Sequence, residues 1–355
     1  MSKRYIVHIG ICGFGNQLLG FKELSIIAKY TNRTMVAPIF IPHGTIRDKC
    51  KAYYEFTEIF DMNKIKEGFD IIPFSEIKGN VKITQVYNIR TQKEHNLTHS
   101  YFQAQRNYYD IDNSVEVKML ERNFITDKRS FEELQNIQDE VLVIIGTFNT
   151  IKLNTCAKNG CLNKKCGFHP TFLNEYNIIS KHLVFHESIA QISLKTLQSS
   201  NIDINELCVF HMRVLDLCQS KTFEYAYNNY DEQKVYNSIC QYLYEIGKYN
   251  LIQNIFVIAP IQFVTIKNLK LFNNSKIKRI NNKDFTEDPF ILAMVELYIC
   301  EKAKVLITSP TNTPNETKEH TRSSFTMNSK TIRDLSKQYP YDICIDDIYH
   351  IIKTE

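Results

Sequence analysis

Three glycines between an apolar strand and a helix constrain this chain more than any other feature of its sequence. Tyr5-Ile-Val-His-Ile9 is an apolar run of strand length, and Gly10, Gly13 and Gly15 follow it at once. From Asn16 the pattern turns helical, with Leu18, Leu19, Phe21, Leu24, Ile27 and Ala28 on one broad face. Asn32 reads as a helix stop, and Thr34-Met-Val-Ala-Pro38 as the next strand. Strand, glycine loop, helix and strand over residues 5–38 make a βαβ unit, and a βαβ unit requires a parallel sheet.

The same alternation continues with interruptions. Tyr53 to Phe60 has a helical pattern, and Asp70 to Ile77 reads as a strand turning at Pro73. Residues 80–135 are polar and weakly periodic and yield no assignment. Val141-Leu-Val-Ile-Ile145 is a buried strand, residues 154–169 are a Cys-rich polar loop, and Phe172 to Leu197 reads as largely helical. The second half gives strands at Leu207–His211, Ile255–Ala259 and Val305–Thr308, with helices at Gln233–Tyr249, Pro289–Lys302 and Ser323–Ser336. No solenoid period recurs. The architecture expected is α/β, with two Rossmann-like lobes and a cleft between them. Residues 1–195 form the first lobe, with the Cys-rich insertion at 154–169, and residues 196–355 the second.

Composition removes several functions. The net charge of +4 is spread along the chain, and no Lys/Arg run carries interleaved aromatics, so nucleic acid is not an expected partner. The longest apolar runs are far below the length that crosses a bilayer, so no transmembrane segment is expected. The amino terminus has a basic front, but its apolar part is five residues long, contains His8 and meets a glycine turn. It reads as a strand rather than a secretory signal. The sequons at Asn96 and Asn315 matter only in a secretory lumen. Cys12, Cys50, Cys208, Cys218, Cys240 and Cys300 sit singly in or beside elements, as small buried hydrophobes do. Cys156, Cys161, Cys166 and His169 could ligate zinc, pair as a disulfide or stay free thiols, and their spacing matches no familiar zinc module.

Three short constellations bear chemistry. Gly10-Ile-Cys-Gly13-Phe-Gly15-Asn16-Gln17 lets backbone amides approach an anion or a sugar, with a helix amino terminus behind them. A plain tight turn accounts for the glycines equally well. Ala37-Pro38 stands where an NAD-binding unit carries an acidic residue. His211-Met212-Arg213 ends a strand, where open α/β sheets place ligands, and arginine offers a planar fork of donors to a diphosphate. Ser323-Ser324-Phe325-Thr326 opens a helix with two hydroxyls and free amides, which suits an anion and equally suits simple capping.

In this order the three motifs resemble those of the GDP-fucose protein O-fucosyltransferases, most nearly the type that modifies EGF-like repeats. Asn32-Arg-Thr34, the stretch from Tyr53 to Ile77, Val295-Glu-Leu-Tyr-Ile299 and Arg333-Asp334 also have counterparts in that family. The resemblance implies a GT-B-like fold and an inverting, metal-independent transfer of fucose from GDP-fucose to Ser or Thr of a protein. No cofactor is implied. The acceptor would be an EGF-like or other small disulfide-rich domain, met in the endoplasmic reticulum lumen. With no signal read in the chain, the cytoplasm is the other compartment.

By the same resemblance, Arg213 and Asn16 are the catalytic residues. Asn16 lies near fucose and the acceptor hydroxyl, and Arg213 binds the β-phosphate and glycosidic oxygen. Gly13, Phe14, Gly15, His211, Met212, Glu296, Ser323, Ser324 and Phe325 complete the substrate site. The chain departs from the family at Gly13, where the family has arginine, and near Val214-Leu215, where it has glycine. Ser309 to Thr321 and the Cys-rich loop look inserted. Another nucleotide-sugar transferase, or a catalytically silent binding protein of the same family, are the competing functions.

Overall fold

The structure, a computed structural model, describes residues 3–11, 13–44, 46–89, 97, 102–120, 131–146, 175, 178–204, 207–211, 254–258, 277–279, 286–303, 305–308 and 343–344. It divides into two compact units. The first holds the described residues up to Glu187 together with Asp288–Phe290, and the second holds the remainder from Ser188 onward.

In chain order the strands of the first unit are β1 (Tyr5–Ile9), β2 (Thr34–Val36), β3 (Ile39–Phe40), β4 (Tyr54–Glu55), β5 (Ile71–Ile72), β6 (Gln85–Asn88), β7 (Glu116–Met119) and β8 (Val141–Ile145). Six of them form one sheet in the order β5-β2-β1-β8-β6-β7, every pairing parallel. β3 and β4 form a separate antiparallel pair. A parallel strand inside such a sheet is covered on both faces, which explains why β1 and β8 are continuous apolar runs rather than alternating ones. Ile6, Val7 and Ile9 of β1 and all five residues of β8 are buried.

Helix α1 (Phe14–Thr31) joins β1 to β2, packs on both, and is buried almost all round, including Gln17, Lys22, Glu23 and Ser25. The single apolar face read from the sequence understates this burial. The helix stops at Asn32, whose left-handed backbone (φ 51°) places the next residues to start β2. Arg33 then spreads its guanidinium beneath the amino ends of β1 and β8. Its Nη2 donates to Ile137 O at 2.7 Å, and its Nη1 donates to Asp139 O at 2.8 Å and Tyr5 O at 3.2 Å. Those carbonyls lie at or just before the start of the strands, so one fork of donors serves several backbone groups at once.

Without tryptophan, the core relies on phenylalanine and tyrosine. Phe40 lies 5.0 Å from Phe14 and 6.1 Å from Phe60, Phe21 meets Phe56 at 5.3 Å, and Phe60 meets Phe185 at 5.1 Å. Tyr53 to Phe60, read as one helix, is instead strand β4 followed by the single turn α2 (Phe56–Ile59), closed by a capping box between Glu55 and Glu58. Short helices α3 (Met62–Lys66), α4 (Gln103–Tyr108) and α5 (Glu132–Asn136) complete the described helices of this unit, beside a helical turn at residues 178–182. The long helix expected from Phe172 to Leu197 is also not continuous. Residues 183–186 are extended, and Phe185 bridges Phe60, before α6 (Glu187–Ser199) begins.

The second unit has strands β9 (Leu207–His211), β10 (Asn254–Ile258), β11 (Ile277–Arg279), β12 (Val305–Thr308) and β13 (Ile343–Cys344), in the order β11-β10-β9-β12-β13 and again wholly parallel. Helix α7 (Pro289–Lys302) leads into β12, and Met294, Val295, Leu297, Ile299 and Cys300 are fully buried along it. Ser193 of α6 donates to Ile189 O at 2.7 Å and stands 3.5 Å from Val295 O, so a small residue lets the two helices come close.

The first turn of α7 belongs to the first unit. Asp288 Oδ1 accepts from Phe290 N at 2.9 Å, capping the helix, while its other oxygen accepts from the buried Tyr54 hydroxyl. The Phe290 ring stacks on Tyr54 at 4.2 Å and meets Phe14 edge-on at 5.5 Å. Burial first, and the bond to Asp288 second, push the Tyr54 phenol above its ordinary range.

His8, the penultimate residue of β1, is 3% exposed, and burial pushes its imidazole down to about 3. The unfolded chain therefore binds a proton near pH 6.5 that the folded chain refuses until about pH 3, so stability falls as pH drops through that window. His8→Gln should flatten the upper part of this dependence, between about pH 6.5 and 5, where few carboxylates titrate. Urea unfolding midpoints of both proteins over that range test it; parallel curves would show that His8 carries none of the effect.

Candidate ligand site at the carboxyl ends of the strands

In an open parallel sheet, ligands bind outside the carboxyl ends of the strands, where the strand order reverses. In the first unit that point lies between β1 and β8, which run in register from Tyr5↔Val141 to Ile9↔Ile145. Their next residues are Gly10 and Gly146. Gly146 has φ 81°, a left-handed conformation that favours glycine.

Two glutamines fix this end. Gln17, 1% exposed, donates from Nε2 to Ile41 O at 2.7 Å and accepts at Oε1 from Ile41 N at 2.9 Å. Its carboxamide thus occupies both backbone groups of one residue, as a strand partner would. Gln105, wholly buried on α4, donates to Gly10 O at 3.1 Å, and its Oε1 has no partner. Gly10 and Gln17 are packed tightly: a Cβ at Gly10 would stand 2.8 Å from Gln17 Cγ. At Gly13 a Cβ would meet only His43, at 3.7 Å.

Gly13 is the amino cap of α1 and supplies no side-chain bond to it; its carbonyl accepts from Asn16 N at 3.0 Å and Gln17 N at 3.2 Å. Phe14 is buried in the aromatic core against Phe40 and Phe290, and Gly15 is buried in the first turn of α1. Asn16, a residue further along, is half-buried. Gly13, Gly15 and Asn16 therefore sit at the sheet end that the sequence pattern anticipates, while Phe14 is an anchor of the core. Gln105 and Gly146 escaped the sequence reading. Gly146 could have been found as the glycine directly after a buried strand. Gln105 lies in the polar stretch that has no legible period.

In the second unit the strand order reverses between β9 and β12. His211 is the last residue of β9 and pairs in register with Ile258 of β10 and Thr308 of β12. Glu296 is half-buried in the middle of α7, the helix that feeds β12. Met212, Arg213, Ser323, Ser324, Phe325 and the cluster of Cys156, Cys161, Cys166 and His169 lie outside the described residues. Among the described residues no three His, Cys, Asp or Glu side chains are grouped to hold a metal, and no helix is long and apolar enough to cross a membrane.

A cavity of about 1030 Å³ opens at the opposite edge, where β1, β2 and β5 begin, lined among others by Arg4, Lys29, Arg33, Asp70 and Glu175. Lys29 Nζ and Glu175 Oε1 pair there at 3.0 Å. Burial pushes the Glu175 carboxyl upward, but the bonds from Lys29 and Tyr30 outweigh it and hold the group below its ordinary range. Amino-end crevices of this kind are built from structural contacts rather than from the loops that meet ligands.

Two parallel sheets, each with its strand order reversing at a central strand, define a class of α/β proteins with two Rossmann-like units. Among solved structures the chain is similar to POFUT1 in complex with GDP, at 17% identity and a TM-score of 0.61, over 97% of this chain and 98% of that chain. It is similar to POFUT1 in complex with GDP-fucose at 16% identity and a TM-score of 0.59, over 96% and 97% of the two chains. No family model and no curated protein matches the chain. The GT-B-like α/β fold read from the sequence is the fold of this chain, shared with POFUT1 from end to end.

The packing separates two neighbouring glycines sharply. Gly10→Ala should destabilise the protein by about 1–3 kcal/mol, the usual cost of overpacking, because Gln17 is held by two hydrogen bonds and has nowhere to go. Gly13→Ala should be nearly silent. Denaturant unfolding of both variants measures this, and equal losses would contradict the geometry.

Proposed function

We propose that this chain is a glycosyltransferase that takes fucose from GDP-fucose and delivers it to a Ser or Thr hydroxyl of a protein. The observation that carries this reading is the end-to-end likeness in fold to POFUT1, solved with GDP and with GDP-fucose, combined with the three sequence motifs in the family's order. Support within the chain comes from placement: Gly13-Phe14-Gly15-Asn16 and His211 fall at the strand-order reversals of their own sheets.

The chemistry follows from the residue types. In an inverting transfer the acceptor oxygen bonds to fucose C1 while the bond from C1 to the phosphate oxygen breaks. That electron pair stays on the β-phosphate, and the hydroxyl proton is lost. The protein's task is to stabilise the charge growing on phosphate. Arg213, two residues beyond the end of β9, brings a guanidinium that stays charged and forks onto two oxygens. Ser323 and Ser324 add hydroxyl and amide donors to the diphosphate, with Phe325, Met212, His211 and Glu296 around the nucleotide. Asn16 addresses the sugar and the acceptor hydroxyl. The transfer then needs no divalent metal and no cofactor. An EGF-like or other small disulfide-rich domain is the proposed acceptor.

GDP should raise the melting temperature more than UDP or NAD, without added metal, because a ligand that binds only the folded state stabilises it by mass action. A larger shift with UDP and manganese would sink the reading. Arg213→Ala should lower turnover by roughly a hundred- to a thousandfold, the usual cost of losing one donor to the developing charge. Arg213→Lys should fail to rescue it, since lysine has no fork. Transfer near the wild-type rate in either variant would remove Arg213 from the mechanism.

A further inference from the structure

We infer that Gln105 is a positioning residue, which holds the glycine loop after β1 in the orientation that the sugar end of GDP-fucose requires. The inference rests on the reading of the chain as a GDP-fucose transferase. Gln105 belongs to α4, an element outside every motif of the sequence. Its Nε2 donates to Gly10 O, one residue past the end of β1, at 3.1 Å. Four residues on, the buried Tyr109 hydroxyl accepts from Ile39 N at 3.3 Å. The ring of Tyr109 meets Phe74 edge-on at 5.1 Å, just past β5. These contacts pin α4 beside the segments that follow β1, β2 and β5, at the end of the sheet where ligands bind.

Stability alone does not account for this glutamine. The side chain is wholly buried, and its Oε1 has no partner among the described residues. A carbonyl can only accept, so the bond to Gly10 O fixes which way round the carboxamide stands. An unpaired buried acceptor costs more than one hydrogen bond returns on balance. A methionine of similar length would remove that unpaired oxygen and cost Gly10 O its bond, so the two changes nearly offset. What the carboxamide does secure is a direction. In a trans peptide the carbonyl and the N–H point opposite ways, so holding Gly10 O toward α4 turns the N–H of Ile11 away from it. Gln17 wedges Gly10 from the side of α1, and Gln105 sets the orientation of the peptide that follows. That peptide leads into Gly13-Phe14-Gly15-Asn16, where Asn16 is read as addressing fucose.

The test reads affinity and stability side by side in the full chain. Calorimetric titration with GDP and with GDP-fucose gives two dissociation constants for wild type, Gln105→Met and Gln105→Glu. Gln105→Met should weaken GDP-fucose by about three- to tenfold, the worth of one hydrogen bond, and leave GDP unchanged. Its melting temperature without ligand should move by no more than about 3 °C. Gln105→Glu adds a pH readout. A protonated carboxyl can donate to Gly10 O and an ionised one cannot, and burial raises a carboxyl well above its ordinary range. The preference of Gln105→Glu for GDP-fucose over GDP should therefore be near wild type at about pH 6 and fall to that of Gln105→Met by about pH 9. Unchanged GDP-fucose affinity in Gln105→Met, or no pH dependence in Gln105→Glu relative to wild type, overturns the inference. An equal fall for both nucleotides, or a variant too unstable to purify, also overturns it, since Gln105 would then act through the fold. In each of these outcomes a wild type that binds GDP and GDP-fucose leaves the transferase reading standing. If wild type binds neither, both fall together.

Discussion

The parallel ladder of β1 is the constraint from which the first unit follows. A parallel neighbour cannot be reached by a tight turn, so the chain must leave the sheet, cross over a face and return. Tyr5–Ile9 has parallel partners on both sides, β2 and β8. This buries both of its faces, demands a covering helix, and aligns every carboxyl end along one edge. Arg33 serves the opposite edge by collecting backbone carbonyls at the start of β1 and just before β8. The second unit repeats the arrangement with β9 between β10 and β12. Chemistry is thereby confined to one edge of each sheet before any functional side chain is chosen.

At that edge, close approach matters more than charge. Gln17 is a polar side chain spent entirely on backbone, and it leaves room at Gly10 for nothing larger than hydrogen. Its cost of burial is met by two hydrogen bonds to Ile41, and Gln105 meets the carbonyl of Gly10 from another helix. Among the described residues the loop is held by side-chain amides.

Regular strands and the longer helices were legible in the sequence because each carries a strongly apolar run. Tyr5–Ile9, Val141–Ile145, Leu207–His211, Val305–Thr308 and Pro289–Lys302 all lie where their apolar runs place them. The misreadings share one cause. Tyr54-Glu55-Phe56 splits between a strand and a helical turn because Tyr54 is committed to Asp288, far away in sequence. The helix from Phe172 breaks at residues 183–186 because Phe185 is recruited by Phe60. In both places a distant partner overrides local periodicity. Residues 80–135 concealed β6, α4, β7 and α5, since β7 lies at the sheet edge with exposed side chains and the helices are barely two turns long. The positions of the glycines and of His211 were legible, because strand ends announce them. Gln105 was not, because its contact with Gly10 depends on a tertiary neighbour that no local pattern encodes.

The turn at Asp288–Phe290 bears on how the protein can be taken apart. These three residues are separated from the rest of the first unit by a hundred positions, yet they seal its aromatic core, with Phe290 lying flat on Tyr54 and edge-on to Phe14. A fragment ending at Glu187 would present that slot to water as a sticky apolar notch with a buried phenol left open. The polypeptide is therefore interlaced rather than modular. The amino-terminal part cannot be excised, swapped or fused at a single junction without carrying this clasp along. Evolution would find it hard to shuffle either half of this chain independently of the other.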